Sequence, residues 1–259
     1  MTDTLDNKET FFWNYDKKYD PTVSNPVEVV QEADSVIKGE DLVWERTVHL
    51  GGFKDATITY WQHCLHLARR LVRLFALALD LPEDYFDNVT TNPGADGLYI
   101  HYPGVPKHKI EETPDVGIGS HTDIQCITLL WQDMSGGLEV LSAKGEWLQA
   151  TPIEGTFVVN IGDFLQRLSN NKFKSTVHRV YNLQESSRYS MPFFFGFNYD
   201  AVCSVVPTCI DEEHPPMYEP ISCGKVVSLL ICLIGVLLNL KQWREDRFAL
   251  ARVGQSQVK

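Results

Sequence analysis

His121-Thr122-Asp123 and a distant His178 make a residue set that could hold one metal ion. Two imidazoles and one carboxylate fill one face of an octahedron and leave the other positions open, as non-heme Fe(II) chemistry requires. A structural zinc site would be closed by four protein ligands, usually including cysteine. None of the six cysteines, at 64, 126, 203, 209, 223 and 232, lies at matching spacing. Farther on, Arg188 stands two residues before Ser190. A guanidinium grips a carboxylate by two parallel charge-assisted hydrogen bonds, which lysine cannot do, and the hydroxyl can add a third. The neighbouring Met191-Pro192-Phe193-Phe194-Phe195 reads as buried, and a buried arginine needs an anion. A lone HxD is common by chance. The distal histidine and the Arg-x-Ser pair are what point to an iron oxygenase with a carboxylate cosubstrate.

Those side chains must be positioned by strands. Residues i and i+2 of a strand share a side, so a strand through His121 and Asp123 would aim both at one metal while Thr122 points away. His178 belongs to a second run, Thr176–Tyr181, and Arg188–Phe197 is a third. Leu98–Tyr102, Ile118–Trp131, Leu138–Leu141, Trp147–Ala150 and Thr156–Ile161 are further strand candidates, separated by Gly-, Pro- and Asp-rich turns. Only Phe164–Ser169 reads as helix among them. Asn160-Ile161-Gly162-Asp163 reads as a strand end and turn, with Gly162 permitting the turn and Asp163 capping the segment after it. Such a chain predicts an antiparallel sandwich or jelly roll. Ahead of it, Ile58, Trp61, Leu65, Ala68, Leu71, Val72, Phe75 and Leu79 recur at helical steps, predicting a helix over 56–79 with Arg69, Arg70 and Arg73 opposite. His63 and His66 on it read as surface or packed imidazoles. Leu81-Pro82-Glu83-Asp84 reads as a helix stop and a new short helix start. Residues 1–54 read as loops and short helices lying over a core.

A length of 259 residues suits one large domain. A net charge of −11 argues against nucleic acid and anionic membrane as partners. Cysteines without a CxxC pair, and the polar start MTDTLDNKET, predict reduced thiols in a cytoplasmic protein. The expected partner is a small-molecule substrate, and a monomer is the expected state.

In order, HYPGVP, GIGSHTDIQCITLL, GGLEVL, GEWLQATPIEGTFVVNIGDFLQRLSNNKFKSTVHRV and RYSMPFFF resemble the plant- and fungal-type 2-oxoglutarate/Fe(II) dioxygenases of the isopenicillin N synthase-like superfamily. The resemblance implies a mainly β fold with flanking α-helices, a distorted double-stranded β-helix. It implies His121, Asp123 and His178 as Fe(II) ligands, and Arg188 with Ser190 on the distal carboxylate of 2-oxoglutarate. Tyr102 resembles the family's other cosubstrate contact. Its usual asparagine companion is replaced by Ile100, a departure that touches the hydrogen bonds there and not the iron site. The implied reaction decarboxylates 2-oxoglutarate to succinate with dioxygen and oxidises a small organic molecule, by hydroxylation, desaturation or cyclisation, in secondary metabolism. Ascorbate is the implied reductant. A metal-binding barrel of cupin type would need neither Arg188 nor Ser190.

Four parts are expected: 1–90 as N-terminal loops and helices, 91–225 as the dioxygenase domain, 226–242 as an apolar insertion, and 243–259 as a C-terminal helix and tail. Against the family, the N-terminal region reads as shortened, so an open sheet edge is expected. Val226–Leu240 is almost wholly apolar yet short for a membrane span. Without Val226–Gln242, Lys225 would run directly into Trp243-Arg244-Glu245, as in the family, so translated intron is the expectation. A membrane-associating or dimerising helix is the rival. The alternative to an active enzyme is a truncated, inactive homologue.

Overall fold

The computed structural model describes residues 6–23, 40–112 and 115–224. The expected insertion and C-terminal helix lie outside them. All strand pairs are antiparallel. One sheet has five strands, β1 (Glu9–Trp13), β2 (Pro93–Tyr102), β9 (Arg188–Asn198), β4 (Ile127–Gln132) and β7 (Val158–Ile161), in that order. The other has four: β3 (Asp115–His121), β8 (His178–Asn182), β5 (Leu138–Leu141) and β6 (Trp147–Gln149). A two-stranded ribbon, β10 (Val202–Cys203) and β11 (Ile221–Ser222), comes after them. The helices are α1 (Glu40–Thr47), α2 (Phe53–Ala78), α3 (Lys107–Glu112) and α4 (Asp163–Leu168). The architecture is a distorted double-stranded β-helix. Ile100 and Tyr102 from the larger sheet meet Leu138 and Val180 from the smaller one between the two layers.

The helical period of α2 buries Trp61, Cys64, Leu65, Ala68, Val72 and Ala76. That face packs on the outside of the larger sheet with Ile127, Leu129, Phe193 and Phe195, forming the main core. Two bonds fix its seat: Trp61 Nε1 donates to the Ala95 carbonyl at 2.9 Å and Tyr60 Oη to that of Met191 at 3.2 Å. Arg69, expected on the opposite face, reaches back to the N-terminal segment. Its Nη1 and Nη2 lie 3.0 and 2.7 Å from the two oxygens of Asp20. Burial alone would raise that carboxyl. Arg69 and Thr22 overcome it and hold it at about 2.

Five expectations need correction. Residues 9–13, read as loop, form β1, which pairs with β2 and is itself the outer strand of the larger sheet. Trp13 lies where Gly97 leaves no side chain; a Cβ there would overlap the indole. The start after Leu81 becomes turns and a short 3-10 helix at Asp87–Val89. Finally, the run 118–131 is broken after His121, because residues 122–126 fold onto the start of α4. The Asp123 and Ile124 carbonyls accept from the Asp163 and Phe164 amides at 2.8 and 3.1 Å. Gly162 is needed for this closeness and not for a turn: its φ is −96°, and a Cβ would overlap the Gln125 carbonyl oxygen. Asp163 is the first helical residue, with Gly162 at the cap position, and it accepts from Thr122 Oγ1 at 3.2 Å.

Candidate active site

β3 and β8 place His121 directly opposite His178, with ring centroids 4.2 Å apart. Asp123 joins them from just beyond the end of β3, through the 122–126 bend and not through strand alternation. One ligand atom from each of the three lies within 4.8 Å of the others. Asp123 Oδ1 is 4.0 Å from Nε2 of His121 and 3.6 Å from Nε2 of His178.

The surroundings decide which atoms face inward. Each Nδ1 sits against a carbonyl oxygen, Gly119 at 2.8 Å for His121 and Thr176 at 3.0 Å for His178. A carbonyl only accepts, so Nδ1 carries the proton and each Nε2 keeps its lone pair for a metal. Burial, and then the neighbouring His178, lower His121 to about 4, so it is neutral at neutral pH. Asp123 is equally constrained. Its Oδ2 accepts from Thr128 Oγ1 at 2.6 Å and Asn160 Nδ2 at 2.7 Å, which turns Oδ1 toward the histidines. Two imidazole nitrogens and one carboxylate oxygen suit a divalent cation with open positions.

Arg188 opens β9 and is 1% exposed, with Ser190 buried on the same strand face. The guanidinium is held by neutral groups. Nε donates to the Gly136 carbonyl at 2.7 Å and Nη2 to Gln132 Oε1 at 3.0 Å. The Gly136–Gly137 turn that offers this carbonyl has φ of +79° and +85°, and a Cβ on Gly137 would overlap the Tyr181 carbonyl oxygen. Nη1 is buried with no partner among the described residues. Desolvation lowers the Arg188 pKa, against opposing pulls from Tyr102 and the Asp133 carboxylate. Such an orphaned donor fits a ligand carboxylate.

Tyr102, opposite Arg188 on β2, lies with its ring 4.8 Å from the guanidinium carbon. Its hydroxyl is near enough to feel Arg188 and Ser190, but forms no bond with Nη1. Burial raises the phenol, against the opposing pull of Arg188. Gly117 makes room for the ring, since a Cβ there would lie 2.6 Å from Tyr102 Cδ1. Ile100 is buried in the inner cluster, so this position contributes packing and no polar contact.

Residue types alone did not identify Thr128, Gln132 and Asn160. Thr128 and Gln132 share one face of β4, about 13 Å apart along the strand. One strand therefore orients Asp123 at one end and Arg188 at the other. Asn160, read as part of a structural turn, is a partner of Asp123. The only signal in the sequence was the polarity of these residues inside strand-forming runs.

Residues 95–197 match the model of the 2OG-Fe(II) oxygenase superfamily. The 2-oxoglutarate-Fe(II) type oxidoreductase ppzC of Metarhizium rileyi is 44% identical over 232 residues, which are 88% of this chain and 62% of that protein. Kihadalactone A synthase LFS of Citrus sinensis is 30% identical, across 86% of this chain and 74% of its own length. Among solved structures, a full-length Neurospora crassa protein in complex with alpha-KG and thymine superposes with a TM-score of 0.72. It is 32% identical, across 88% of this chain and 66% of that one. The chain spans about three-fifths of the length of the ppzC relative.

Proposed function

As the chain belongs to the 2OG-Fe(II) oxygenase superfamily, we propose that it is an Fe(II)- and 2-oxoglutarate-dependent oxygenase of a small organic molecule. In this reading His121, Asp123 and His178 bind Fe(II). Arg188 and Ser190 take the distal carboxylate of 2-oxoglutarate, and Tyr102 walls the same pocket. The observation that carries it is the pairing of two unmet needs in one barrel: three metal-ligand atoms turned toward one point, and a buried guanidinium with an unpartnered Nη1.

Iron with 2-oxoglutarate and dioxygen supplies the oxidising chemistry, converting the cosubstrate to succinate and CO₂ as substrate is oxidised. The chain's own residues do the positioning. The Gly119 and Thr176 carbonyls hold the imidazole tautomers. Thr128 and Asn160 keep one Asp123 oxygen occupied so that the other is free. Gln132 and Gly136 fix the guanidinium plane, leaving its remaining donors for a carboxylate. Ile100, Leu138 and Val180 exclude water from the inner cluster, which strengthens those charged contacts. A relative named for the synthesis of kihadalactone A, and a structure holding thymine, support a small organic substrate and a role in secondary metabolism.

Anaerobic titration with Fe(II) and 2-oxoglutarate tests this. A weak visible charge-transfer band that needs both components, and that is lost in Arg188→Ala, is the expected result. A folded protein giving no band would overturn the reading.

A further inference from the structure

Gln125 belongs to the 122–126 bend that carries Asp123. The backbone of the bend is tied on two sides. The amides of Gly162, Asp163 and Phe164 donate to the Cys126, Asp123 and Ile124 carbonyls at 2.9, 2.8 and 3.1 Å, and the Cys126 amide donates to the Phe195 carbonyl of β9 at 2.9 Å. The Gln125 side chain carries the bend one strand farther, to β2, where Nε2 donates to Asp96 Oδ2 at 2.9 Å. Two glycines leave the lane it follows. A Cβ on Gly196 of β9 would lie 3.2, 3.4 and 3.5 Å from Oε1, Cδ and Cβ of Gln125, and one on Gly94 of β2 would lie 3.4 Å from Nε2.

That bond leaves both groups half satisfied. Asp96 is buried, and its Oδ1 has no partner among the described residues. Gln125 Oε1 is in the same position. Both atoms only accept while Asp96 is ionised, and buried acceptors without donors are costly. One proton cures both. A carboxylic acid and a primary amide can form a ring of two hydrogen bonds, the amide donating to one carboxyl oxygen and the other carboxyl oxygen donating to the amide carbonyl. The first of these bonds is present here. Burial raises the Asp96 carboxyl to about 6, against the Gln125 bond that lowers it, so the proton is held in mildly acid solution and released toward neutrality. Around Asp96, β9 presents Phe194 and the bend presents Gln125. The turn after β9 adds Tyr199, whose phenol is raised by burial and then by Asp96, and so stays neutral. Arg188 is opposite Tyr102, at the other end of β2.

We propose that Asp96 and Gln125 are positioning residues for the metal ligand Asp123, and that a proton donated from Asp96 Oδ1 to Gln125 Oε1 closes the brace between β2 and the 122–126 bend. The inference rests on the oxygenase reading and adds a control on how firmly Asp123 is presented. Thr128 and Asn160 fix the Asp123 carboxylate, while the brace fixes the backbone that carries it. Protonated, the pair holds the bend by two bonds. Ionised, it holds by one and leaves two acceptors unpaired.

The test is the Fe(II) affinity of the intact chain, by anaerobic equilibrium dialysis from pH ~5 to pH ~8. Asp96→Asn offers an amide N–H in place of the acid proton, so the two-bond ring persists at every pH. Wild type and Asp96→Asn should bind Fe(II) alike at the acid end. As pH rises through about 6, wild type should fall behind by up to about tenfold. Protonation of the histidine ligands acts on both chains and cancels in the ratio. Gln125→Leu has neither bond, and should bind Fe(II) about tenfold more weakly than Asp96→Asn at every pH. A constant ratio of wild type to Asp96→Asn, or a Gln125→Leu chain that binds as tightly as Asp96→Asn, overturns the proposal. The first comparison decides alone where Gln125→Leu does not fold. A wild type that binds no Fe(II) at any pH would instead sink the oxygenase reading, and this role with it.

Discussion

Replacing Arg188 with methionine should separate ligand binding from folding. In the free protein the guanidinium is buried and bonded to the neutral Gly136 carbonyl and Gln132 amide, with Nη1 unpartnered among the described residues. Methionine removes the desolvation cost of that charge but strands two acceptors, each worth about 1–3 kcal/mol when left unpaired and buried. These terms oppose each other, so the free variant should unfold within about 2 kcal/mol of wild type. Cosubstrate binding has no such compensation. Losing two charged hydrogen bonds to a carboxylate costs about 3–4 kcal/mol, or about 10²- to 10³-fold in 2-oxoglutarate affinity. Denaturant unfolding with and without 2-oxoglutarate gives both quantities. At a cosubstrate concentration 100 times the wild-type Kd, wild type should gain about 2.7 kcal/mol and the variant almost nothing. A variant that keeps the full gain would refute the assignment. A variant too unstable to fold would show that Arg188 supports the barrel and not the ligand.

Thr128→Val removes one of the two bonds that orient Asp123 and should weaken Fe(II) affinity by about 10- to 100-fold, read by anaerobic equilibrium dialysis. Asp96→Asn should change the pH dependence of stability. The folded carboxyl, at about 6, lies above its ordinary 3.8, so wild-type stability is lost as pH rises through that interval. The variant's advantage should grow by on the order of 3 kcal/mol between pH ~4 and pH ~7.5 in urea unfolding, and a pH-independent difference would contradict the burial argument. Gly162→Ala drives a methyl group into the Gln125 carbonyl oxygen. It should cost about 1–3 kcal/mol and weaken Fe(II) binding by displacing the 122–126 bend, and normal metal affinity would show that the bend is tolerant.

The triad and the Arg188–Ser190 pair were legible because rare residue types at characteristic positions carry their own chemistry. Most strands were legible because turn residues bracket β-branched and aromatic runs. The features that stayed hidden depend on pairing between distant segments. β1 has the composition of a loop, and only its partner β2, with Gly97 making room for Trp13, turns it into a strand. The break between β3 and β4 lies inside a run that alternates like one strand, and is imposed by the amides of α4. Thr128, Asn160 and Gln132 are ordinary strand residues until register brings them to Asp123 and Arg188. Asp96 carries no signal within Gly94-Ala95-Asp96-Gly97, yet it is buried.

Arg188 and Asp96 carry opposite charges on neighbouring strands of one sheet, and both face inward. They do not neutralise each other, because register puts Arg188 opposite Tyr102, six residues along β2 from Asp96. That spacing is about 20 Å, far beyond ion-pair contact. A barrel whose core charges served stability alone would bring them together, since each unpaired one raises the energy of the free protein. In the free protein neither forms an ion pair among the described residues, Asp96 standing level with Thr128 and Arg188 at the far end of the sheet. Asp96→Asn removes one charge without touching the other, so it should leave 2-oxoglutarate binding at Arg188 unchanged. Loss of that binding would show that the two ends are not independent.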